Sequence, residues 1–246
     1  MKGFKPPTYG DVIAGTYDGL YGDVSDEQID RLEELARGGR ALELGVGTGR
    51  VALPLSERGV EVHGIDASEA MLKELRSKPG SDRIEAFTGD FRIIETDARY
   101  RLIYVVFNTF FALVTQEDQL ACFASVAEHL EPGGVFLLEV FFPDLARFDR
   151  GQTVRATSVA LDSVQLEVMK HDRARQTISN QHVVIGPDGV KLYPVVLRYA
   201  WPPELDLMAL AAGMRLRERW AGWDRSPFTS GSGRHISIYG RDEDVE

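Results

Sequence analysis

The residues with the clearest potential for chemistry are three glycines at alternate positions. Gly45, Gly47 and Gly49 follow an apolar, strand-like run at residues 40–44 and precede helical spacing at residues 50–58. A glycine turn between a strand and a helix lets the backbone approach a ligand closely, and the helix that follows offers unpaired N–H groups at its positive end. This arrangement predicts a site for a nucleotide-like ligand at the turn.

Three acidic residues stand where such a ligand needs hydrogen-bond acceptors. Asp66 ends a second strand-like run, 21 residues after Gly45, which is the spacing at which a carboxylate holds ribose hydroxyls in nucleotide-binding folds. Asp90, followed by Phe91, comes after a third such run, and Glu43 comes just before the glycine turn. Open α/β sheets bind ligands at the carboxyl ends of their strands. We therefore expect these carboxylates at one edge of a sheet.

The glycine pattern departs from that of dinucleotide-dependent oxidoreductases. Their fingerprint, G-x-G-x-x-G, has a third glycine that permits close packing of the helix on the strand. Arg50 occupies that position here, the additional glycine is Gly49, and no Tyr-x-x-x-Lys pair lies nearby. An NAD(P)-dependent oxidoreductase is therefore disfavoured.

Alternating strand-like and helix-like runs are the elements that would position these residues. Between residues 40 and 141, near-continuous apolar runs alternate with amphipathic ones, which predicts a parallel sheet with helices on both faces. From about residue 152 to 201 the apolar residues follow period two, with turn residues at 186–189, as in antiparallel hairpins. A helical run and two strand-like runs occupy residues 204–239. We expect one α/β domain over residues 1–246, with 152–201 as an inserted antiparallel β segment.

Hydroxyl side chains mark the starts of two predicted helices. Ser25 opens the capping-box pattern Ser-Asp-Glu-Gln, and Ser68 precedes a second amphipathic run. A longer helix is expected over residues 115–130. Strands are expected over residues 102–107 and, after a Pro-Gly-Gly loop, over residues 135–141.

The motifs and their order resemble those of the class I S-adenosylmethionine (SAM)-dependent methyltransferases. Residues 42–50, Leu-Glu-Leu-Gly-Val-Gly-Thr-Gly-Arg, are similar to the first motif of that family, and residues 64–66 and 89–90 to the second and third. Residues 130–134 resemble the loop before its fifth strand. The match covers about residues 40–140. The resemblance implies a Rossmann-like, mostly parallel sheet with an antiparallel last strand, SAM as methyl donor and S-adenosylhomocysteine as product.

The resemblance implies roles around the methionine part of the donor. Gly45, Gly47 and Gly49 would lie beside the methionine part, and Glu43 would orient the turn or the amino group of the ligand. Tyr17 would close over the methionine carboxylate. The sequence leaves two structural alternatives open, since Glu43 could serve only to cap the turn and Tyr17 could be a core tyrosine.

The resemblance also implies contacts to the adenosine and the sulfonium. Asp66 would accept hydrogen bonds from both ribose hydroxyls and Asp90 from the adenine amino group, and the Phe91 N–H would face the adenine ring. Phe107, with residues 108–109, would border the sulfonium. Asp90 could instead cap a helix, and Phe107 could serve only in packing.

A general base for the acceptor is not singled out by the sequence. Positioning supplies most of what methyl transfer needs, although a hydroxyl acceptor benefits from a base. The catalytic candidates are Glu139, His171 and His235, and His182 is a further histidine in a strand-like run. Each of these histidines could instead face solvent or be hydrogen-bonded within the core.

The inserted segment is expected to form a lid over the acceptor. Its aromatic and basic side chains predict substrate contacts at Tyr193, Arg198, Tyr199 and Trp201. Core packing of these four explains their types about as well, and a sheet that forms a homodimer is the alternative role of the segment.

Composition limits the partners and the location. The net charge is −10, whereas nucleic-acid binders typically have an excess of basic residues. The fourth strand-like run continues into residues 107–110, which do not match the Asn/Asp-Pro-Pro-Tyr/Phe loop of nucleic-acid methyltransferases. Cys122 is the single cysteine, so neither a disulfide within the chain nor a cysteine zinc cluster is possible, and we expect no metal site. Without a signal-like start or an apolar run of about 18 residues, a cytoplasmic protein without a membrane partner is expected.

The layout as a whole is similar to that of bacterial amino-sugar N-methyltransferases of antibiotic pathways. The sequence therefore predicts methyl transfer to a nitrogen or oxygen of a small molecule, such as a natural-product or amino-sugar intermediate. The alternative is a SAM-binding protein of the same fold that transfers no methyl group, such as a cyclase or a regulator.

Overall fold

Seven strands form a mostly parallel sheet with the order β10-β11-β5-β4-β1-β2-β3. The computed structural model describes residues 1 and 3–241. Strands β1 to β5 are parallel, whereas β11 runs antiparallel to both of its neighbours. The strands are β1 Ala41–Leu44, β2 Val62–Asp66, β3 Ile84–Thr88, β4 Tyr100–Val105, β5 Leu130–Phe141, β10 Met214–Trp220 and β11 Arg234–Arg241. This arrangement confirms the predicted Rossmann-like sheet with an antiparallel last strand.

Seven α-helices accompany the sheet in the described part of the chain. They are α1 Thr8–Ile13, α2 Tyr17–Tyr21, α3 Asp26–Ala36, α4 Ala52–Glu57, α5 Glu69–Arg76, α6 Gln116–His129 and α7 Pro202–Ala211. The two serines act as the sequence predicts, since Ser25 Oγ accepts the N–H of Gln28 and Ser68 Oγ accepts that of Met71. None of the described helices is long and apolar enough to cross a bilayer.

Two strand boundaries differ from the expected ones. Strand β5 begins at Leu130 rather than at residue 135, because Leu130 pairs with Tyr100 and the Pro-Gly-Gly segment forms an irregularity within the strand. Strand β4 ends at Val105 rather than at residue 107, because the backbone turns into left-handed conformations at Phe107 and Asn108, with φ values of 57° and 68°. The amide oxygen of Asn108 accepts the N–H of Phe141 at 2.6 Å and holds this turn against β5.

Apolar clusters cover both faces of the large sheet. On one face, Ile103 and Val105 of β4 pack in a core with α6 and α7. On the other face, Leu102 and Tyr104 pack in a core with α3, α4 and α5. Consecutive residues of one strand thus pack in cores on opposite faces of the sheet, as the near-continuous apolar runs predict.

The segment after β5 forms a separate antiparallel sheet with the order β6-β7-β8-β9. Its strands are β6 Gln152–Val159, β7 Val164–Asp172, β8 Thr177–Gly186 and β9 Gly189–Arg198. Tyr193 of β9 packs against Ile13 and Ala14 near the amino terminus and against Met71 of α5. This inserted sheet therefore lies over the carboxyl edge of the large sheet.

Candidate functional site

The three glycines of the turn after β1 serve two different purposes. All three have positive φ, between 55° and 79°. A Cβ on Gly45 would lie 2.4 Å from Thr109 Cγ2, and one on Gly49 would lie 2.2 Å from Leu75 Cδ1, whereas one on Gly47 would meet no atom within 4 Å. Gly45 and Gly49 therefore allow close packing, and Gly47 leaves open space beside the backbone.

The carboxylate of Asp66 is fixed at the end of β2. Its Oδ2 accepts the N–H of Gly47 and its Oδ1 accepts the N–H of Ser68, both at 2.8 Å. Burial raises the pKa of Asp66, and these two N–H groups oppose that shift. Each carboxylate oxygen can accept a second hydrogen bond, so the group can hold a pair of hydroxyls on a ligand.

Six of the predicted cofactor residues line one cleft at this edge of the sheet. We call it the glycine-loop cleft; these six residues are Tyr17, Gly45, Gly47, Asp66, Asp90 and Phe91. Glu43 and Gly49 lie outside its lining, and Phe107 lines a neighbouring cavity instead. Two further residues of the amino-terminal segment, Phe4 and Tyr9, also line the cleft and were not predicted from the sequence.

Asp90 belongs to a small charge network at the rim of the cleft. Its Oδ1 accepts the backbone N–H of Arg92 at 3.0 Å, and its Oδ2 lies 3.0 Å from the Arg92 guanidinium. That guanidinium also contacts Asp118 at 2.8 Å. Asp90 thus stabilises the turn after β3 while it faces the cleft, so the structural role and the binding role are compatible.

Glu43 lies beneath the glycine turn and is 3% exposed. The hydroxyl of Tyr104 donates to its Oε2 at 3.0 Å, and the backbone N–H of Ala52 contributes a further hydrogen bond. Burial raises the pKa of Glu43 to about 8. At pH 7 this carboxyl is therefore mostly protonated, and it supports the turn and the start of α4 from below.

An aromatic cluster lies where the cleft meets a neighbouring cavity. The ring of Tyr21 lies 4.8 Å from that of Tyr17 and 5.0 Å from that of Phe107, and its hydroxyl is 2.6 Å from that of Tyr9. The guanidinium of Arg50 stands 4.7 Å from the Phe107 ring centroid. Burial raises the pKa of Tyr17 to about 12 although Arg50 opposes the shift, so this phenol stays neutral at pH 7.

A second cavity of about 510 Å³ lies between the sheet edge and the inserted sheet. We call it the insert cavity. It shares Tyr9, Tyr17, Thr109, Ala112 and Val195 with the glycine-loop cleft. A small molecule held in the insert cavity would therefore adjoin a ligand held in the cleft.

The four predicted substrate residues lie outside the lining of both cavities. Tyr193 packs under the amino-terminal helices. Arg198 is 6% exposed, and its guanidinium bonds to Glu204 and Gln119, each at 2.6 Å. These contacts attach the end of β9 to α6 and α7.

Tyr199 and Trp201 lie in the core beside that ion pair. The Tyr199 hydroxyl is 3.0 Å from Nε2 of His171, and the Trp201 ring lies 5.5 Å from that of Phe142. Their aromatic type reflects packing between the inserted sheet and the segment after β5.

The three catalytic candidates also lie outside the lining of both cavities. Glu139 accepts the N–H of Phe107 and contacts the guanidinium of Arg234, both at 3.2 Å, so it supports the turn after β4. His171 is bonded to Tyr199 as described, and burial lowers its pKa. His235 is fully buried, and burial lowers its pKa to about 3.

Polar residues do line the insert cavity, and the sequence did not select most of them. They are Asn108, Asp144, Arg147, Glu167, Asn180 and His182. Three of them, Glu167, Asn180 and His182, share one face of the inserted sheet. The period-two pattern of β7 and β8 could have predicted that these three side chains face the same way. Among the described residues, no group of three or more His, Cys, Asp or Glu side chains could hold a metal ion.

Known proteins similar to this chain include several methyltransferases. A methyltransferase-domain family model matches residues 41–134. A cypemycin N-terminal methyltransferase from a Streptomyces species is 31% identical over 207 residues, which cover 83% of this chain and 84% of that protein. The solved CcbJ methyltransferase from Streptomyces caelestis is 40% identical, with a TM-score of 0.90 over 97% of this chain and 99% of that one. SAM-bound CalS10, an amino pentose methyltransferase from Micromonospora echinaspora, is 25% identical, with a TM-score of 0.66 over 91% of this chain and 94% of that one.

Proposed function

The chain belongs to the SAM-dependent methyltransferases, and on that premise we propose that it methylates an amine nitrogen of a small molecule held in the insert cavity. The observation that carries the proposal is the junction of the two cavities. The five residues that line both cavities have two phenols, one aliphatic hydroxyl and two apolar side chains: Tyr9, Tyr17, Thr109, Ala112 and Val195. Burial raises the pKa of Tyr9 and of Tyr17, so neither phenol can act as a base at pH 7.

The residues of the glycine-loop cleft fit the cofactor of the family. The space beside Gly47 is open and could hold part of the ligand. Both oxygens of Asp66 can accept hydrogen bonds from ribose hydroxyls. Aromatic faces such as those of Tyr17 and Tyr21 favour a neighbouring cation, which suits a sulfonium. SAM supplies an electrophilic methyl group when bound.

An amine suits a junction that has no base. A neutral amine nitrogen uses its own lone pair to form the bond to the methyl carbon while the carbon–sulfur bond breaks, and the ammonium product loses its proton to water afterwards. The chain then needs only to hold the nitrogen in line and to exclude water, which Phe107 and the tyrosine rings can do. A hydroxyl acceptor would find no base among the five residues that the two cavities share.

The names of two relatives favour the same class of acceptor. One is named for methylation of the cypemycin amino terminus and the other for methylation of an amino pentose. We propose a natural-product amine of this kind, and we place its binding site under the inserted sheet, which then acts as the acceptor lid. The family makes methyl transfer the activity, rather than the alternative of a cyclase or a regulator that only binds SAM.

The outer face of the inserted sheet supports a homodimer. Three adjacent cross-strand rows on this face contain no charged residue: Val154, Val168, Gln181 and Pro194; Ala156, Leu166, Val183 and Leu192; Val159, Val164, Ile185 and Val190. Val159 and Val190 are 76% and 62% exposed. Soluble monomers rarely expose a continuous apolar surface of this kind. In a chain of net charge −10, an uncharged patch can pack on the same patch of a second copy.

D-glucosamine and D-glucose form a matched pair that tests nitrogen transfer. Both would be incubated with the protein and methyl-labelled SAM, and the products located by mass spectrometry. We expect label on the nitrogen of glucosamine and none on glucose. Label on oxygen in either sugar would contradict the proposal.

A further inference from the structure

The inner face of the inserted sheet places a polar group at the roof of the insert cavity. Met169, Ile178, Val195 and Leu197 give this face an apolar surface. Asn180 of β8 lies among them, opposite Met169 on β7 and Val195 on β9. A polar amide in such surroundings needs partners, because a buried polar group without a hydrogen bond costs free energy.

Asn180 has only part of the hydrogen bonding that it needs. The residue is 6% exposed, and its Nδ2 lies 3.1 Å from Nε2 of His182. Burial lowers the pKa of His182, so the imidazole is neutral at pH 7 and Nε2 can accept that hydrogen. Oδ1 is buried and has no partner among the described residues. Because Asn180 lines the cavity, a bound molecule can supply the missing donor.

Carboxylates outnumber guanidinium groups among the residues that line the insert cavity. Glu167 accepts from Arg155 at 2.8 Å and lies 3.3 Å from the guanidinium of Arg147. Of the described lining residues, Arg147 is the one guanidinium, whereas two carboxylates, those of Glu167 and Asp144, line the cavity. A phosphate or diphosphate would meet more negative than positive charge here. The cavity therefore suits an acceptor without phosphate.

We propose that Asn180 Oδ1 accepts a hydrogen bond from a hydroxyl of the acceptor, so that the enzyme selects a hydroxyl-bearing amine that carries no phosphate. This inference rests on the proposed function and narrows its substrate class. Asn180 is then a specificity residue that binds the acceptor away from the reacting nitrogen. His182 is a positioning residue, because it orients the amide and leaves Oδ1 free.

Three amines test the proposal as probes: D-glucosamine, cyclohexylamine and D-glucosamine 6-phosphate. We expect the wild-type kcat/KM to be about tenfold higher for glucosamine than for cyclohexylamine, as for one hydrogen bond to a buried group. The phosphorylated sugar should be at least about tenfold poorer than glucosamine, because the charges of the cavity oppose its phosphate.

Asn180→Leu, of similar size, removes the acceptor atom. It should lower kcat/KM for glucosamine about tenfold and leave that for cyclohexylamine within about threefold. Gln165→Leu is the matched control, because Gln165 lies on the same face of the sheet but outside the cavity lining. SAM affinity, measured by calorimetry, reports whether each variant folds, and Asn180→Ala replaces the leucine variant if that protein does not.

Several results would overturn the inference alone. They are equal wild-type rates for glucosamine and cyclohexylamine, equal losses for both amines in Asn180→Leu, or efficient methylation of the phosphorylated sugar. A wild-type protein that binds SAM but methylates none of the amines would instead contradict the proposed function, and the inference with it.

Discussion

Backbone hydrogen bonds fix the carboxylate of Asp66 in the lining of the glycine-loop cleft. The N–H groups of Gly47 and Ser68 donate to its two oxygens, each at 2.8 Å, so a ribose bound there, as we propose, would meet acceptors that are already oriented. Such preorganisation reduces the cost of binding, because fewer rotamers must be ordered when the ligand binds. The carboxylate should therefore contribute strongly to cofactor affinity.

Asp66→Ala tests this contribution. We expect SAM affinity to fall by about 1.5–3 kcal/mol, the range for hydrogen bonds to a charged group. Calorimetry measures the loss, with Asp162→Ala in the exposed β6–β7 turn as control. An unchanged affinity in a folded Asp66→Ala protein would refute the ribose role.

Glu43 should make the stability of the protein depend on pH. Its pKa is raised from 4.5 to about 8 in the folded chain, so the folded state binds more protons than the unfolded state between these values. The free energy of unfolding should therefore fall as pH rises through that window, by up to roughly 1.4 kcal/mol per pH unit.

Glu43→Gln should reduce that slope, because the amide cannot ionise. Urea unfolding at pH 5.5, 7 and 8.5 would measure it, with exposed Glu57→Gln as control. Equal slopes in the wild type and Glu43→Gln would contradict a protonated Glu43.

At the level of elements, the end of β9 is attached to two helices by a buried ion pair. Arg198 joins Glu204 of α7 and Gln119 of α6, and Gln119 also donates to the Arg198 carbonyl at 2.8 Å. Removing one partner of a buried pair leaves the other charge uncompensated, which usually costs about 3–5 kcal/mol. The pair therefore holds the inserted sheet on the core.

Arg198→Met should destabilise the protein without changing its chemistry. We expect the free energy of unfolding to fall by about 3 kcal/mol, while SAM affinity and kcat/KM stay within about threefold. Adding Glu204→Gln should recover part of the stability. Loss of methyl transfer at unchanged stability would instead indicate direct contact between Arg198 and the acceptor.

The sequence predicted the elements well where one pattern decides the structure. The glycine turn, the carboxylates at strand ends and the serine caps all depend on local spacing. The residues that contact the acceptor could not be predicted as well, because Arg198 and Tyr199 were chosen from residue type alone. Consecutive residues near a strand end point in different directions, so both could not be expected to face one cavity.

The turn after β4 shows a second limit. Phe107 and Asn108 have left-handed backbone conformations that depend on contacts to β5, namely Glu139 and the Phe141 N–H. No local sequence pattern predicts such a turn, because its hydrogen-bond partners lie about 30 residues away in sequence. It places Phe107 on the wall of the insert cavity rather than at the end of a strand.

For the whole molecule, the exposed apolar face predicts a dimer that a single charge can break. Leu192 lies in the central row of that face and is 53% exposed. Leu192→Lys would bury two unpaired ammonium groups in a symmetric interface, which is costly. Sedimentation velocity should show a dimer for the wild type and a monomer for the variant.

Ile93→Lys is the control for that experiment, because Ile93 is exposed outside the inserted sheet. It should leave the dimer intact. A monomeric wild type, or a dimer that survives Leu192→Lys, would contradict the interface.

The central claim is that the acceptor is methylated inside the insert cavity, next to a cofactor in the glycine-loop cleft. Leu197 lines the insert cavity but not the cleft, so Leu197→Trp fills the first and leaves the second unchanged. The decisive measurement is kcat/KM for the amine that the wild type methylates, made beside SAM affinity. We predict at least about a hundredfold loss of methyl transfer, as expected when a reacting group cannot reach its position, at unchanged SAM affinity. Full transfer in a folded Leu197→Trp protein would contradict the account.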